Sequence, residues 1–526
     1  MDALAPGRDT DRRLTVVAAL AGLAVSAGMS LSHPEGAVHA DDVTHYLYAR
    51  WAWSYPSYLL DEWGRPGFTA LYFLPAWLGW PACRLLSASL TAGSAYLAFA
   101  IARELGMPRA WLASLLAFAQ PLFFQLSQST LTETPLAFYL ALAGYLAIRG
   151  RWSASAAILS MTLVTRHEAV VFVPVWLGAA WAGGVRWRRL WPIIWAPLLV
   201  NGLGLIFGRG QSWELFLSPR PTTQYGHGGW LTFFARSLEA CGPGIAALAI
   251  LGLPRAFTRR GGMLVCGCVG VYFAAQTVIR ALGLYGSGGY ARFLVPVCPL
   301  VAVMALEGWH RLRAADSRDR RRAVLAAGAA MVLLWAAMER QLVLHRAAVD
   351  LAAELPELHL ATWAMRIATA VVAAIVLVVG VGPQSGWRGR MGGPAMATAI
   401  AALIVLAVGA LCHPLSPVKG AEQIDKAQKA LASRGLSDRL IISAHCWMDY
   451  VAGRPLPPDR PTVRRQLELA PAGTLLAWER QFAGSEDHGL TLAEFAESRH
   501  YRLILESAPL PGGQEPYLRV FEKLRQ

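Results

Sequence analysis

Charged residues are scarce in this 526-residue chain. Asp, Glu, Lys and Arg make up 16% of it, 55% is hydrophobic, and the mean hydropathy is +0.38. Soluble globular domains carry about 25% charge. The deficit excludes a disordered chain, a coiled coil and an ordinary cytosolic enzyme, because so much apolar surface needs lipid to cover it. Lysine is nearly absent: 44 of the 48 basic residues are arginine, with lysine only at 419, 426, 429 and 523. Cysteine is sparse as well. The seven cysteines include no Cys-x-x-Cys pair, which excludes a disulfide framework or a zinc module and leaves the redox compartment open. There is no internal repeat of the kind many transporters show. A small-x-small cleavage site is also missing around Met29 to Leu31, so the first apolar run reads as a retained anchor.

What the chain has instead is long apolar runs bounded by arginine. Thirteen are evident, at 14–31, 86–102, 111–127, 135–148, 153–164, 169–183, 190–208, 238–253, 263–279, 293–308, 323–338, 367–381 and 394–411. This predicts a mainly α, polytopic membrane protein with about 13 transmembrane helices. With the N-terminus inside, the inner connections hold 21 arginines and the longer outer ones 12. That asymmetry sets the orientation. It also makes 68–82, rich in Trp and Pro, a helix on the outer surface rather than a further span. The transmembrane region is expected to cover 1–411, with a long first outer loop at 32–85. After 412 lysine appears and short β-type runs replace the long apolar ones, which predicts a small extracytoplasmic α/β domain over 412–526. The net charge of +14 is mostly a topology signal and points to no nucleic acid.

The chemistry-bearing residues cluster on the outer side. The first loop carries Asp41-Asp42-Val43-Thr44-His45-Tyr46, and adjacent carboxylates near a membrane are costly unless solvated, paired or working. Thr132-Glu133-Thr134 separates two runs, and Thr165-Arg166-His167-Glu168 tips a short hairpin. Taken singly, Asp41-Asp42 fits a helix cap, Glu133 a dipole partner, and Arg166 with Glu168 a structural ion pair. Arg65 precedes the surface helix and Arg292 begins a span. Either can snorkel, or bind phosphate bidentately.

In order and type these motifs resemble the GT-C superfamily of membrane glycosyltransferases, in particular its aminoarabinose transferase and protein O-mannosyltransferase-like branch. Asp41-Asp42 with His45-Tyr46 is similar to the family's first-loop Asp-Glu element. Arg65-Pro66-Gly67 is similar to the segment whose cation meets the lipid phosphate, and Leu131 to Leu136 to the second-loop acidic motif. Thr165 to Glu168 resembles the hairpin of related mannosyltransferases, and Arg292-Phe293 with Pro296 a late Arg-Tyr motif. Departures are Asp for Glu at 42 and Glu for Asp at 133.

The resemblance implies transfer of a sugar from a polyprenyl-phosphate donor to a hydroxyl acceptor (protein, lipid or glycan) on the outer face of the cytoplasmic membrane. Asp42 is the expected base of an inverting displacement, with Asp41 and Glu35 (in His33-Pro34-Glu35) left open. Arg65 and Arg292 would meet the leaving phosphate. Glu133, Arg166, His167, Glu168 and His45 would hold sugar or acceptor hydroxyls, with Tyr46, Trp51 and Trp53 as walls. No metal is required, although Asp42 and Glu133 are a pair able to hold a divalent ion. The competing expectation is a transporter or flippase for a lipid-linked or small polar solute.

Overall fold

The computed structural model describes residues 8–208, 227–285, 287–313, 318–338, 355–381, 414–479, 481–484, 488–510 and 513–524. It is mainly helical, with one small sheet near the C-terminus. The first helix, α1 (Arg8–Ser32), leaves Val17, Leu20, Val25 and Leu31 exposed, as a lipid-facing helix must. Then come α2 (Ala40–Trp51), α3 (Pro66–Leu78) and α4 (Trp80–Glu104). Proline sits in the first turn of both α3 and α4, where its missing N–H has no partner to lose. Only 13 residues long, α3 is too short to cross a bilayer. It packs on α2, α4 and the helix Trp152–Thr165, with Leu74, Trp77 and Leu78 exposed.

Proline also explains where the apolar runs fail to be single helices. Pro121 splits 111–127 into α5 (Leu112–Phe118) and α6 (Pro121–Leu126). Gly242-Pro243 breaks another run into Thr232–Cys241 and Pro243–Thr258, bent by 109°. Between these lie α7 (Glu133–Ile148), α8 (Trp152–Thr165), α9 (Phe172–Ala182) and α10 (Trp195–Ile206). Among the described residues four helices are long and apolar enough to span: Asp9–Ser32, Trp80–Glu104, Gly262–Leu282 and Ala291–Leu312. The bent pair makes up to five, and other apolar helices are shorter. The structure thus shows a multi-pass helical body without establishing thirteen spans, and the run at 394–411 lies outside the described residues.

The tightest helix pair is Pro243–Thr258 against Cys298–Arg313. A Cβ at Gly308 would sit 1.9 Å from the Leu248 carbonyl oxygen, and one at Gly252 2.0 Å from that of Met304, so backbone rests on backbone. Beside this contact the fully buried Glu307 is clasped by Arg255 (3.1 Å) and Arg259 (2.7 Å).

The tail folds as its sequence predicts locally. Helix Ala421–Ser433 is followed by β1 (Ile441–Ser443), β2 (Leu475–Glu479), β3 (Tyr501–Glu506) and β4 (Leu518–Lys523), in sheet order β1-β2-β4-β3. The β1–β2 pair is parallel and the others antiparallel, with an irregularity in β3 between Leu503 and Leu505. One apolar cluster, around Ile442, Leu476, Trp478 and Phe521, closes within the tail, and a second does not. Ile424, Trp447, Leu475 and Tyr517 share one apolar cluster with Val43, Tyr46, Phe68, Tyr72 and Trp80 of the helical body.

Candidate functional site

The site begins with how α2 starts. His39 caps the helix, its Nδ1 accepting the Asp41 amide at 3.2 Å. The Asp42 carboxylate reaches back to accept the amides of Val38 (2.6 Å) and His39 (3.3 Å), completing a capping box. Its other oxygen accepts from the Thr130 amide, while Thr130 Oγ1 donates to the Asp42 carbonyl at 2.7 Å. Asp42 is wholly buried, and these bonds sew the first loop to the segment before α7. Burial pushes its pKa up to about 6, against the pull of the amides.

Asp41, one residue earlier and so about 100° round the helix, faces a different company. Its Oδ2 accepts from Arg292 Nη2 at 2.6 Å and its Oδ1 lies 3.1 Å from His39 Nδ1, with 28% of the side chain exposed. Burial favours the neutral acid here too, but the neighbouring His39 and Arg292 outweigh it and hold the carboxyl well below the usual range.

From Asp41 an alternating row of charges runs through segments far apart in the chain. Arg292 Nε lies 3.6 Å from Glu133, and Arg166 donates to Glu133 at 2.8 Å and to Glu168 at 2.6 Å. Gln276 Nε2 supports Glu168 at 3.4 Å, and Thr132 Oγ1 accepts from Arg166 at 3.0 Å. Arg65 lies against the His167 ring, which is also 3.7 Å from Glu62. Phe293 lies under both Arg166 (4.8 Å) and Arg292 (5.6 Å), and Tyr290 under Arg292 at 5.0 Å. His45, one turn along from Asp41, stacks on Trp63 at 4.8 Å and touches Phe68 at 5.1 Å. Burial, then the Arg65, Arg292 and Arg166 charges, outweigh Asp41 and bring its pKa down to about 3, so the ring is neutral. His45 Nδ1 and Arg292 Nη1 are buried without a hydrogen-bond partner among the described residues. Two polar atoms withdrawn from water and unmet by protein are what a ligand's oxygens satisfy.

Arg65 adopts φ 61°, ψ 96°, a left-handed conformation that costs a side-chain-bearing residue of order 1–3 kcal/mol. The strain turns the chain into α3 and delivers the guanidinium to His167.

Asp41, His45, Arg65, Glu133, Arg166, His167, Glu168 and Arg292 therefore come together. Tyr46 does not join them: it lies on the other side of α2, 5.9 Å from Trp80 and 6.1 Å from Tyr450. Trp51 packs on Tyr48 and Tyr58, Trp53 stacks on Phe73 at 4.1 Å, and Glu35 is exposed. Asp42 and Glu133, the pair expected to hold a cation if one were used, are already engaged with amides and with Arg166. Among the described residues no three His, Cys, Asp or Glu side chains form a metal-binding group. Cys412 lies outside the described residues, and Cys446 Sγ lies 3.6 Å from the Ala40 carbonyl oxygen. Sequence reasoning missed Gln276, a polar residue at 1% exposure inside an apolar span. It also missed Arg84, buried in α4 and donating to the carbonyls of Gln128 (2.6 Å) and His33 (2.5 Å).

Part of the chain matches a glycosyltransferase family model, and the fold as a whole has solved counterparts. The model for dolichyl-phosphate-mannose-protein mannosyltransferases matches residues 32–203, which carry every expected site residue except Arg292. Over its whole length the fold is similar to ArnT from Cupriavidus metallidurans. The apo crystal structure of that protein gives a TM-score of 0.60 at 14% identity, and the one bound to undecaprenyl phosphate 0.59 at 13%, each covering 97% of both chains. No curated protein sequence matches the chain.

Proposed function

We propose that the protein transfers a sugar from a polyprenyl-phosphate donor to a hydroxyl acceptor on the outer face of the membrane, with inversion and with Asp41 as the base. Undecaprenyl phosphate bound to the similarly folded ArnT supports the donor class, and the arginine asymmetry of the connections supports the side. The carrying observation is that Asp41, not Asp42, has an oxygen facing the charged row while remaining ionised. The acceptor oxygen attacks the anomeric carbon as the carbon–oxygen bond to phosphate breaks. The electron pair leaves on the phosphate, and the acceptor proton passes to Asp41 late in the step, as the hydroxyl becomes acidic. Arg65 and the unmet Nη1 of Arg292 meet the charge that gathers on the leaving phosphate. Glu133, Arg166, Glu168 and His167 hold the hydroxyls of the sugar and acceptor, and neutral His45 offers its Nδ1 to them. A phosphate on a lipid leaves without a nucleotide, so this step requires no metal.

Purified protein incubated with polyprenyl-phosphate-linked sugars tests the reading. Wild type turns over at least one donor, and Asp41→Asn lowers kcat by about 10²–10⁴-fold, the range of a lost general base. Normal turnover by Asp41→Asn removes the residue from that role.

A further inference from the structure

Twelve residues make a helix that is marginal in water on its own, so something outside α2 must fix it. The tail meets it at three heights. Before the helix, the Ala37 amide donates to the Ser416 carbonyl at 2.9 Å, and Gly36 runs so near the strap 414–418 that a Cβ there would stand 2.1 Å from the Leu415 oxygen. At its first residue Cys446 donates to the Ala40 carbonyl at 3.6 Å. Beyond its end the Tyr58 hydroxyl donates to the Leu456 carbonyl at 2.9 Å. Between these, Tyr450 stands edge-on to Tyr46 (6.1 Å) and Trp80 (5.5 Å) and lies 4.7 Å from Trp447. The seam encloses only about 20 Å³, lined by His39, Ala40, Lys419, His445 and Phe482 among others, which is water-sized. Asp41 directly follows the clamped Ala40.

We infer that the tail, through the strap 414–418 and the helix Cys446–Ala452, is a positioning element for Asp41: it sets where the carboxylate stands relative to Arg292 without touching substrate. This rests on Asp41 being the base. Tyr450 acts through Tyr46 and the backbone of α2, so its loss displaces the reacting group and leaves the phosphate contacts in place. A displacement of about 1 Å at a reacting centre costs up to about 10²-fold in rate.

The test compares full-length Tyr450→Ala, Tyr450→Phe and Gly36→Ala with wild type. Tyr450→Ala is expected to lower kcat about tenfold or more with the donor KM within twofold, and to speed amide exchange across residues 40–51. Tyr450→Phe, which keeps the ring, restores both. Gly36→Ala, at the opposite end of the seam, gives the same kcat-selective loss. Wild-type kcat and unchanged exchange in Tyr450→Ala overturn the inference, as does a loss carried by KM with exchange unchanged, which would make Tyr450 a substrate contact. Wild type inert toward every donor defeats the functional reading instead, and exchange across 40–51 still decides whether the tail holds α2.

Discussion

Two neighbouring aspartates do different work because a helix turns about 100° between them. Asp42 points into protein, where its oxygens accept three backbone amides, and Asp41 points at Arg292. An asparagine at 42 presents N–H to an N–H on one side, leaving a buried donor unmet at a cost of about 1–3 kcal/mol. Asp42→Asn is therefore expected to lower the melting temperature by a few degrees. It also removes a pH dependence. Folded Asp42 keeps its proton to about pH 6 while the unfolded chain releases it near 4, so the native state binds more protons in that window. Wild-type stability then falls as pH rises from about 4 to about 6 and levels above it, and the variant lacks that part of the slope. Thermal melts of both proteins from pH 4 to 8 check this. Arg65 gives the converse case. Arg65→Gly relaxes the φ of 61° and is expected to raise stability by about 1 kcal/mol, while raising the donor KM. A variant neither more stable nor weaker for donor refutes both assignments. Sequence alone favoured Asp42 as the base and left Asp41 open, because the difference between the two is one of direction. The His39-x-x-Asp42 spacing was the one legible hint that Asp42 serves as a cap.

At the scale of elements, the order of loops carrying the site was readable because each polar interruption sits between apolar runs. Where those runs break was less so. Pro121 and Pro243 end helices that hydropathy averages straight through, and the 109° bend at Gly242-Pro243 is invisible to a sliding count of apolar residues. The contact of Pro243–Thr258 with Cys298–Arg313 was equally hidden, because glycine carries little hydropathy signal while here it lets backbones touch. Gly308→Ala puts a methyl 1.9 Å from the Leu248 oxygen and must part the helices. A loss of about 1–3 kcal/mol is expected, read as a lower melting temperature in detergent, with Gly308→Ala as stable as wild type counting against the packing.

Across the whole molecule, the strands and helix of the tail were legible from alternation and helical spacing. Its packing against the rest was not. The faces formed by Ile424, Trp447 and Leu475 look like an ordinary domain interior, and only in three dimensions do they continue into Tyr46, Phe68 and Trp80. The charged row has the same character: Asp41, Glu133, Arg166 and Arg292 stand in separate stretches, and no local pattern states that they meet.

The clamp on α2 has a consequence for how the enzyme comes into being. Asp41 leaves the ribosome early, whereas Ser416, Cys446 and Leu456 emerge only after the helical body has been threaded into lipid. Nascent chains thus pass through insertion with α2 unclamped, and its contacts with the tail form only when late-made segments dock on early-made ones.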